Sequence, residues 1–398
     1  MRLSNRFSLI ISAMIFLTAV APFPTLAEEI KVGVILPLSG KLARFGEIER
    51  DSFLMAVEEI NGAGGIHERM IDLIVEDTAS RPETGRSAIK KLISEDKVVV
   101  VGGGCSSPVT YEAAALAQEE EIPFLVNTAS ADKITEMGWE YVFRLNPPVS
   151  RYPIALTSFL KHVARVRTAA ILYEDSHFGR YGLKKFLRMC KKSGFKVVMR
   201  RAYETDRVDF KPLLIRLVKK RPATVYLVAH GTETAMIMQQ AMELNFNPRL
   251  FVWRAPGLTI PESYGFAGPA SEYLFSPALW SSNLPYPGAK DFYDKFLERF
   301  NTAPDYHGAE AYAAMHVIAD ALNRAKPLTP EAVRESLADT NMMTVFGPVR
   351  FISYGKKAQQ NVPPTLLLQK IGGRLEVVWP ERVATKKYVC PVPKWSER

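Results

Sequence analysis

Three glycines, a thiol and two hydroxyls stand together in VGGGCSSPVT, residues 101–110. Groups of this kind can cradle a phosphate, attack a carbonyl or hold an anion. A phosphate loop needs a Lys followed by Ser or Thr after its last glycine, and a dinucleotide fingerprint needs a third spaced glycine; Ser107 and Pro108 meet neither need. Nucleophilic catalysis by Ser106 or Ser107 would require a positioned His and an acid, and GGGCSS is not the G-x-S-x-G elbow. Cys105 with His230 is the remaining enzymatic pairing, yet a Cys behind a buried glycine strand is ordinarily inert packing. No enzyme is expected. Pro suits the first turn of a helix, so Ser107 reads as the N-cap. Ser106 is then left with its hydroxyl at the positive end of a helix dipole, a place that suits a carboxylate.

A second turn repeats the theme. FLVNTASADKIT (124–135) puts Thr128 and Ser130 at the carboxyl end of a strand, where open α/β sheets bind ligands. Ser130 could equally cap the short helix that contains Asp132. Cys105, Cys190 and Cys390 have no zinc-type spacing, and the six His residues show no pairing at helical spacing, so neither metal nor cofactor is expected.

The elements that must carry these turns alternate between short β runs and amphipathic helices. KVGVILPLSG (31–40), IDLIVED (71–77), KVVVVGG (97–103) and IPFLV (122–126) read as strands, with helices at 50–61, 81–96 and 108–120 between them. The pattern restarts after Asn146, with strands at 168–175, 195–201, 224–230 and 250–255 and helices at 180–193, 209–220 and 232–244. Each half reads as a doubly wound, Rossmann-like α/β lobe with helices on both faces of a parallel sheet. Helices at 288–301, 308–325 and 329–339, a strand at 347–353 and a hairpin at 365–380 must return to these lobes and make the hinge multi-stranded.

The first 27 residues stand apart. Arg2 and Arg6, the apolar run FSLIISAMIFLTAVA and the small residues Thr25 and Ala27 form a secretory signal peptide. A periplasmic address follows. The net charge of +9 is uneven: residues 161–221 hold 18 Lys or Arg against five acids. An exported protein rarely meets nucleic acid, so basic surface helices, an acidic solute or an anionic membrane surface are the readings left.

LPLSGKLARFGE, AVEEINGAGGI, VGGGCSSPVT, NTASADKIT, YVFRLNP, AAILYEDSHFGRYGLKKF and FGPVRF resemble, in order, the leucine/isoleucine/valine-binding family of periplasmic proteins. These are the type I solute receptors of ABC importers, and the resemblance runs from about residue 30 to 380. It implies two lobes joined by three crossovers that close like a hinge on a solute. It divides the chain into a signal peptide (1–27), first lobe (28–146), second lobe (147–276), a return to the first lobe (277–346) and a final second-lobe segment with tail (347–398). It also implies a monomer that docks on a membrane permease. Carried over by position, Ser106 with Ser107 would face the solute carboxylate. Thr128, Ala129 and Ser130 would add backbone and hydroxyl contacts, and Phe45, Phe178 and His230 would line the cleft as aromatics.

The departures from the family pattern point to the solute. The acid that holds an amino-acid ammonium should follow the strand FVWRAPG, but Arg254-Ala255-Pro256 stand there. A desolvated ammonium without a counter-charge is unfavourable. Arg254 could add a second positive group, and Phe45 and Phe178 replace tyrosines. The family's early disulfide is absent, because Cys105 has no partner near residues 76–80. A small carboxylate, either branched-chain amino acid-like or an aromatic or aliphatic acid, is the expected solute, and a periplasmic sensor feeding a signalling partner is the alternative role.

Overall fold

The alternating β and α segments build two seven-stranded sheets, seen in a computed structural model that describes residues 28–254 and 269–398. The expected signal peptide, and Ala255 and Pro256 after the strand Leu250–Arg254, lie outside the described residues.

The first sheet runs in the order Ile352–Tyr354, Lys357–Gln360, Val142–Arg144, Phe124–Val126, Val100–Gly103, Ile30–Leu36, Ile71–Asp77. All neighbours are parallel except the first pair. Along Ile30–Leu36, side chains alternate between two buried faces. Val32, Val34 and Leu36 meet the helices Ala43–Gly62 and Tyr306–Arg324, while Ile35 meets Pro82–Ser94 and Ser107–Glu119. The second sheet runs Arg374–Trp379, Leu366–Ile371, Phe275–Ala278, Leu250–Arg254, Thr224–Val228, Thr168–Glu174, Lys196–Tyr203. Its two faces are buried separately, one around Leu172, Phe210, Leu227 and Trp253 and the other around Ile171, Phe186, Tyr226 and Val252. A small hairpin, Asn341–Thr344 with Gly347–Arg350, stands apart from both.

The chain passes between the sheets three times: after Arg144, after Ala278 and after Gln360. The third crossing corrects the expected boundary at 347. Ile352–Tyr354 and Lys357–Gln360 complete the first sheet, so the second-lobe segment begins only beyond them. Gln360 explains the move: fully buried, it accepts from the Arg144 Nε at 2.7 Å and donates to the Asn146 carbonyl at 2.9 Å. Gly372 and Gly373 both take positive φ (61° and 75°), as the expected two-residue hairpin turn requires. No helix among the described residues is long and apolar enough to cross a membrane.

Candidate functional site

The first sheet offers its carboxyl-end turns as one wall. Gly103 and Gly104 take φ of +103° and +90°, and a Cβ on Gly103 would sit 2.4 Å from the Ile35 carbonyl oxygen. That backbone swing presents Cys105 and Ser106 at the start of the helix Ser107–Glu119. The cap differs from the one expected. Ser106, not Ser107, occupies the N-cap position, and its side chain makes no capping bond. Ser107 is already helical, and its Oγ accepts the Ala131 N–H at 3.1 Å, stitching the two turns together. Its hydroxyl therefore serves the fold, while Ser106 keeps its own for another partner.

The second turn is more tightly held than the sequence suggests. Ala129 is fully buried and donates its N–H to the Gly104 carbonyl at 2.8 Å, so its expected contact with a solute is withdrawn. Thr128 donates its hydroxyl to the Glu49 Oε1 at 2.7 Å, and Asn127 Nδ2 donates to Oε2 at 3.0 Å. The short helix after this turn is capped at Ala131, not Ser130. The Ser130 hydroxyl instead lies near that of Tyr152, which is hydrogen-bonded to Asn146. Beneath the turn Arg144, fully buried, donates to the Ala131 carbonyl at 2.5 Å and to the Thr135 hydroxyl at 2.9 Å. Burial lowers that guanidinium to about 10, against the pull of Asp132.

Three residues of this wall carry no sequence signal at all: Glu49, Asp305 and His307. Glu49 comes from the helix Ala43–Gly62 and is fully buried; Asp305 caps the helix Tyr306–Arg324 by accepting the His307 N–H at 2.9 Å. Both Asp305 oxygens also approach His307 Nδ1, at 3.1 and 3.0 Å. Phe45 stacks on the His307 ring, with centroids 4.4 Å apart. Burial pushes the Glu49 carboxyl up, although His307, Asn127 and Thr128 pull against it. Burial pushes the Cys105 thiol well up, and the neighbouring Glu49 adds to this. Burial opposes charge on His307, but Asp305 outweighs it and raises the imidazole above its ordinary value.

The second sheet supplies a looser wall. His230 lies before the helix Gly231–Glu243 with 53% of its side chain exposed, its Nε2 3.2 Å from Glu174 Oε2. Glu174, buried at the end of its strand, is a second-lobe acid that the sequence reading overlooked. Phe178 lies 5.7 Å from the His230 ring, and the Arg254 guanidinium lies 5.7 Å from the ring centres of both Phe178 and Tyr181. The Arg254 Nη1 is buried and has no hydrogen-bond partner among the described residues.

Beside two crossovers, against the helix His177–Ser193, lies a cavity of about 160 Å³. Ser150, Tyr152 and Asp132 line one side, and Lys185, Arg188 and Arg254 the other, over an apolar floor that includes Leu156, Phe186 and Met189. Its one acid is already answered, since Lys357 Nζ lies 2.9 Å from Asp132. Of the nine residues expected at the site, Arg254 alone lines this cavity, and Ser130 reaches its edge through Tyr152. Ser106, Thr128, Phe45, Phe178 and His230 are not part of its lining.

The profile of the family described as "Periplasmic binding protein" matches residues 29–367. The chain belongs to the leucine/isoleucine/valine-binding family of type I periplasmic binding proteins. One family relative, the "Leucine-, isoleucine-, valine-, threonine-, and alanine-binding protein" of Pseudomonas aeruginosa, is 26% identical over 355 residues, covering 88% of this chain and 93% of its own. The branched-chain amino acid transporter substrate binding protein of Streptococcus pneumoniae, solved with isoleucine, superposes with a TM-score of 0.68 at 23% identity, covering 88% of this chain and 100% of that one. A solute binding protein of an ABC transporter from R. palustris, solved with benzoate, superposes with a TM-score of 0.66 at 21% identity, covering 91% and 97%. These family members are solute-binding proteins, not enzymes, and the two solved structures share the two-lobed fold.

Proposed function

We propose that this chain is the solute-binding component of an ABC importer, carried to the periplasm by residues 1–27, where it works as a monomer with a membrane permease. It captures a small carboxylate that lacks an ammonium group. The observation that carries this reading is Arg254, whose buried, unpartnered Nη1 stands where the lobes meet, on a cavity that also holds Lys185 and Arg188. In the first lobe, Ser106 brings a hydroxyl that makes no capping bond to a helix N-terminus. Phe178 and Tyr181, beneath the guanidinium, supply flat apolar faces for a branched or aromatic body. At this cavity an ammonium has no such welcome, because its lining acid, Asp132, is paired with Lys357. A solute that touches both walls favours the closed arrangement by its differential affinity, and the permease would read that arrangement.

Calorimetric titration with benzoate, a branched-chain keto acid and leucine tests the reading. The acids are expected to bind and leucine to fail, with Ser106→Ala lowering acid affinity. Leucine binding while both acids stay silent would overturn the amine-free reading. Silence from all three would overturn the small-carboxylate reading.

A further inference from the structure

The buried cluster beneath the first wall has a composition that carboxylate binding does not use. Glu49, Cys105 and His307 each bring one ligand-type atom to within 4.8 Å of the others, from three separate stretches of chain. Carboxylate oxygen, thiolate and imidazole together are the donors that zinc accepts, and three protein donors with one open position is a familiar zinc arrangement. We propose that Glu49, Cys105 and His307 bind a single divalent transition metal ion of the zinc type, at the base of the first lobe beside the Ser106 turn.

The groups around the three donors support this assignment more than their proximity alone. Metal-binding imidazoles ordinarily hand their second nitrogen to a carboxylate, which fixes ring and tautomer. Asp305 does this here, with both oxygens on Nδ1 at 3.1 and 3.0 Å, so that Nε2 is the nitrogen left to coordinate. Glu49 is oriented in the same way, by Thr128 at 2.7 Å and Asn127 at 3.0 Å. Phe45 covers the imidazole face and shields it. The charge balance points the same way. Glu49, Asp305 and Glu310 are all fully buried, and neither oxygen of Glu310 has a hydrogen-bond partner among the described residues. Against these three acids stand the His307 imidazole and the buried Arg144 guanidinium, which acts on Glu310, and with the Cys105 thiolate the excess of negative charge is one that a divalent cation would stabilise. On binding, the Cys105 S–H bond breaks, its electron pair goes to the metal and its proton leaves to solvent. Sequence spacing could not reveal the set, because its members are far apart in the chain.

The site makes no use of the solute, so metal binding is measured without one and stands or falls apart from the carboxylate reading. The purified chain, stripped with EDTA, is titrated with zinc sulfate and, as a spectroscopic probe, cobalt chloride. A single equivalent of zinc per chain is expected, with a rise in melting temperature and a sulfur-to-cobalt charge-transfer band. Cys105→Ser should abolish the band, and Cys190→Ser, which alters a thiol outside the cluster, should leave it intact. Asp305→Asn should weaken zinc about 10–100-fold while the chain still folds, as expected of a group that orients a ligand. If Cys105→Ser fails to fold, protection of Cys105 from alkylation by zinc in the unaltered chain reads the same coordination. No cobalt–thiolate band, or zinc binding that leaves Cys105 open to alkylation, would overturn the proposal.

Discussion

The turns at the carboxyl ends of the two sheets are built on opposite plans. The first-lobe wall is a buried polar lattice: Glu49, Asn127, Thr128 and Arg144 are mutually or locally hydrogen-bonded, with the Asn127 Oδ1 left over among the described residues. The second-lobe wall is half open, with His230 exposed and Arg254 held against two aromatic faces and left without a hydrogen bond on Nη1. A satisfied buried network is rigid and penalises any loss. A cation stacked on rings moves more cheaply. In the proposed function, the first lobe would fix where a solute's polar end sits, and the second would decide which solute is accepted.

The largest expected effect follows from breaking the lattice. Arg144→Met would take one of two donors from the Gln360 oxygen, which keeps the Thr135 hydroxyl, and from the Ala131 carbonyl, which keeps the Ile134 N–H, and would empty a fully buried guanidinium site. It should destabilise the chain by about 3 kcal/mol or more, read by chemical denaturation. A variant as stable as the parent would show that the first wall is not the rigid one. Next in size, Arg254→Gln should lower affinity for an amine-free acid about 10–100-fold, or about 1.4–2.7 kcal/mol, with the unliganded melting temperature unchanged. A lowered melting temperature at unchanged affinity would make Arg254 a structural group and erase the contrast between the walls.

The smallest effect concerns the turn that leads to Phe45. Asp77 accepts N–H bonds from Leu38 and Ala79, each at 2.8 Å, and the Ser39 hydroxyl at 2.6 Å. Burial pushes its carboxyl up, but the Ser39 hydroxyl and these backbone donors outweigh burial and hold it below the usual carboxylate range. A carboxyl lowered in the folded state gives stability that is present above its unfolded value and is lost as pH falls through the folded one. Asp77→Asn should therefore cost about 1 kcal/mol at neutral pH and flatten the acid limb of the melting curve, with little change below that limb.

The contrast between the walls also explains what the sequence could say. Strands such as Ile71–Asp77 and helices such as Pro330–Ala338 were legible because apolar period or proline and glycine punctuation marked them. Lys357–Gln360 and Val142–Arg144 were not, because their buried side chains include Lys357, Gln360 and Arg144, which hydrophobic pattern cannot count as core. The Ser106 and Ser130 turns stood out through glycine and hydroxyl chemistry at strand ends. Ser107 misled, since Pro108 is compatible with a helix beginning one residue earlier. Glu49, Asp305 and His307 stayed hidden because each is an ordinary residue in an ordinary helix start or face, and only the packing of Ala43–Gly62 against Tyr306–Arg324 brings them together.

The threefold passage between sheets has a consequence for the order in which the molecule can be made. The first sheet lacks its Lys357–Gln360 strand, and the second lacks Leu366–Ile371, until nearly the whole chain exists. A ribosome delivering residues from the amino end thus releases neither lobe in finished form. Both are completed within the same short stretch of synthesis, residues 352–371, and a chain cut before residue 352 would hold two sheets that each end on an unpaired edge.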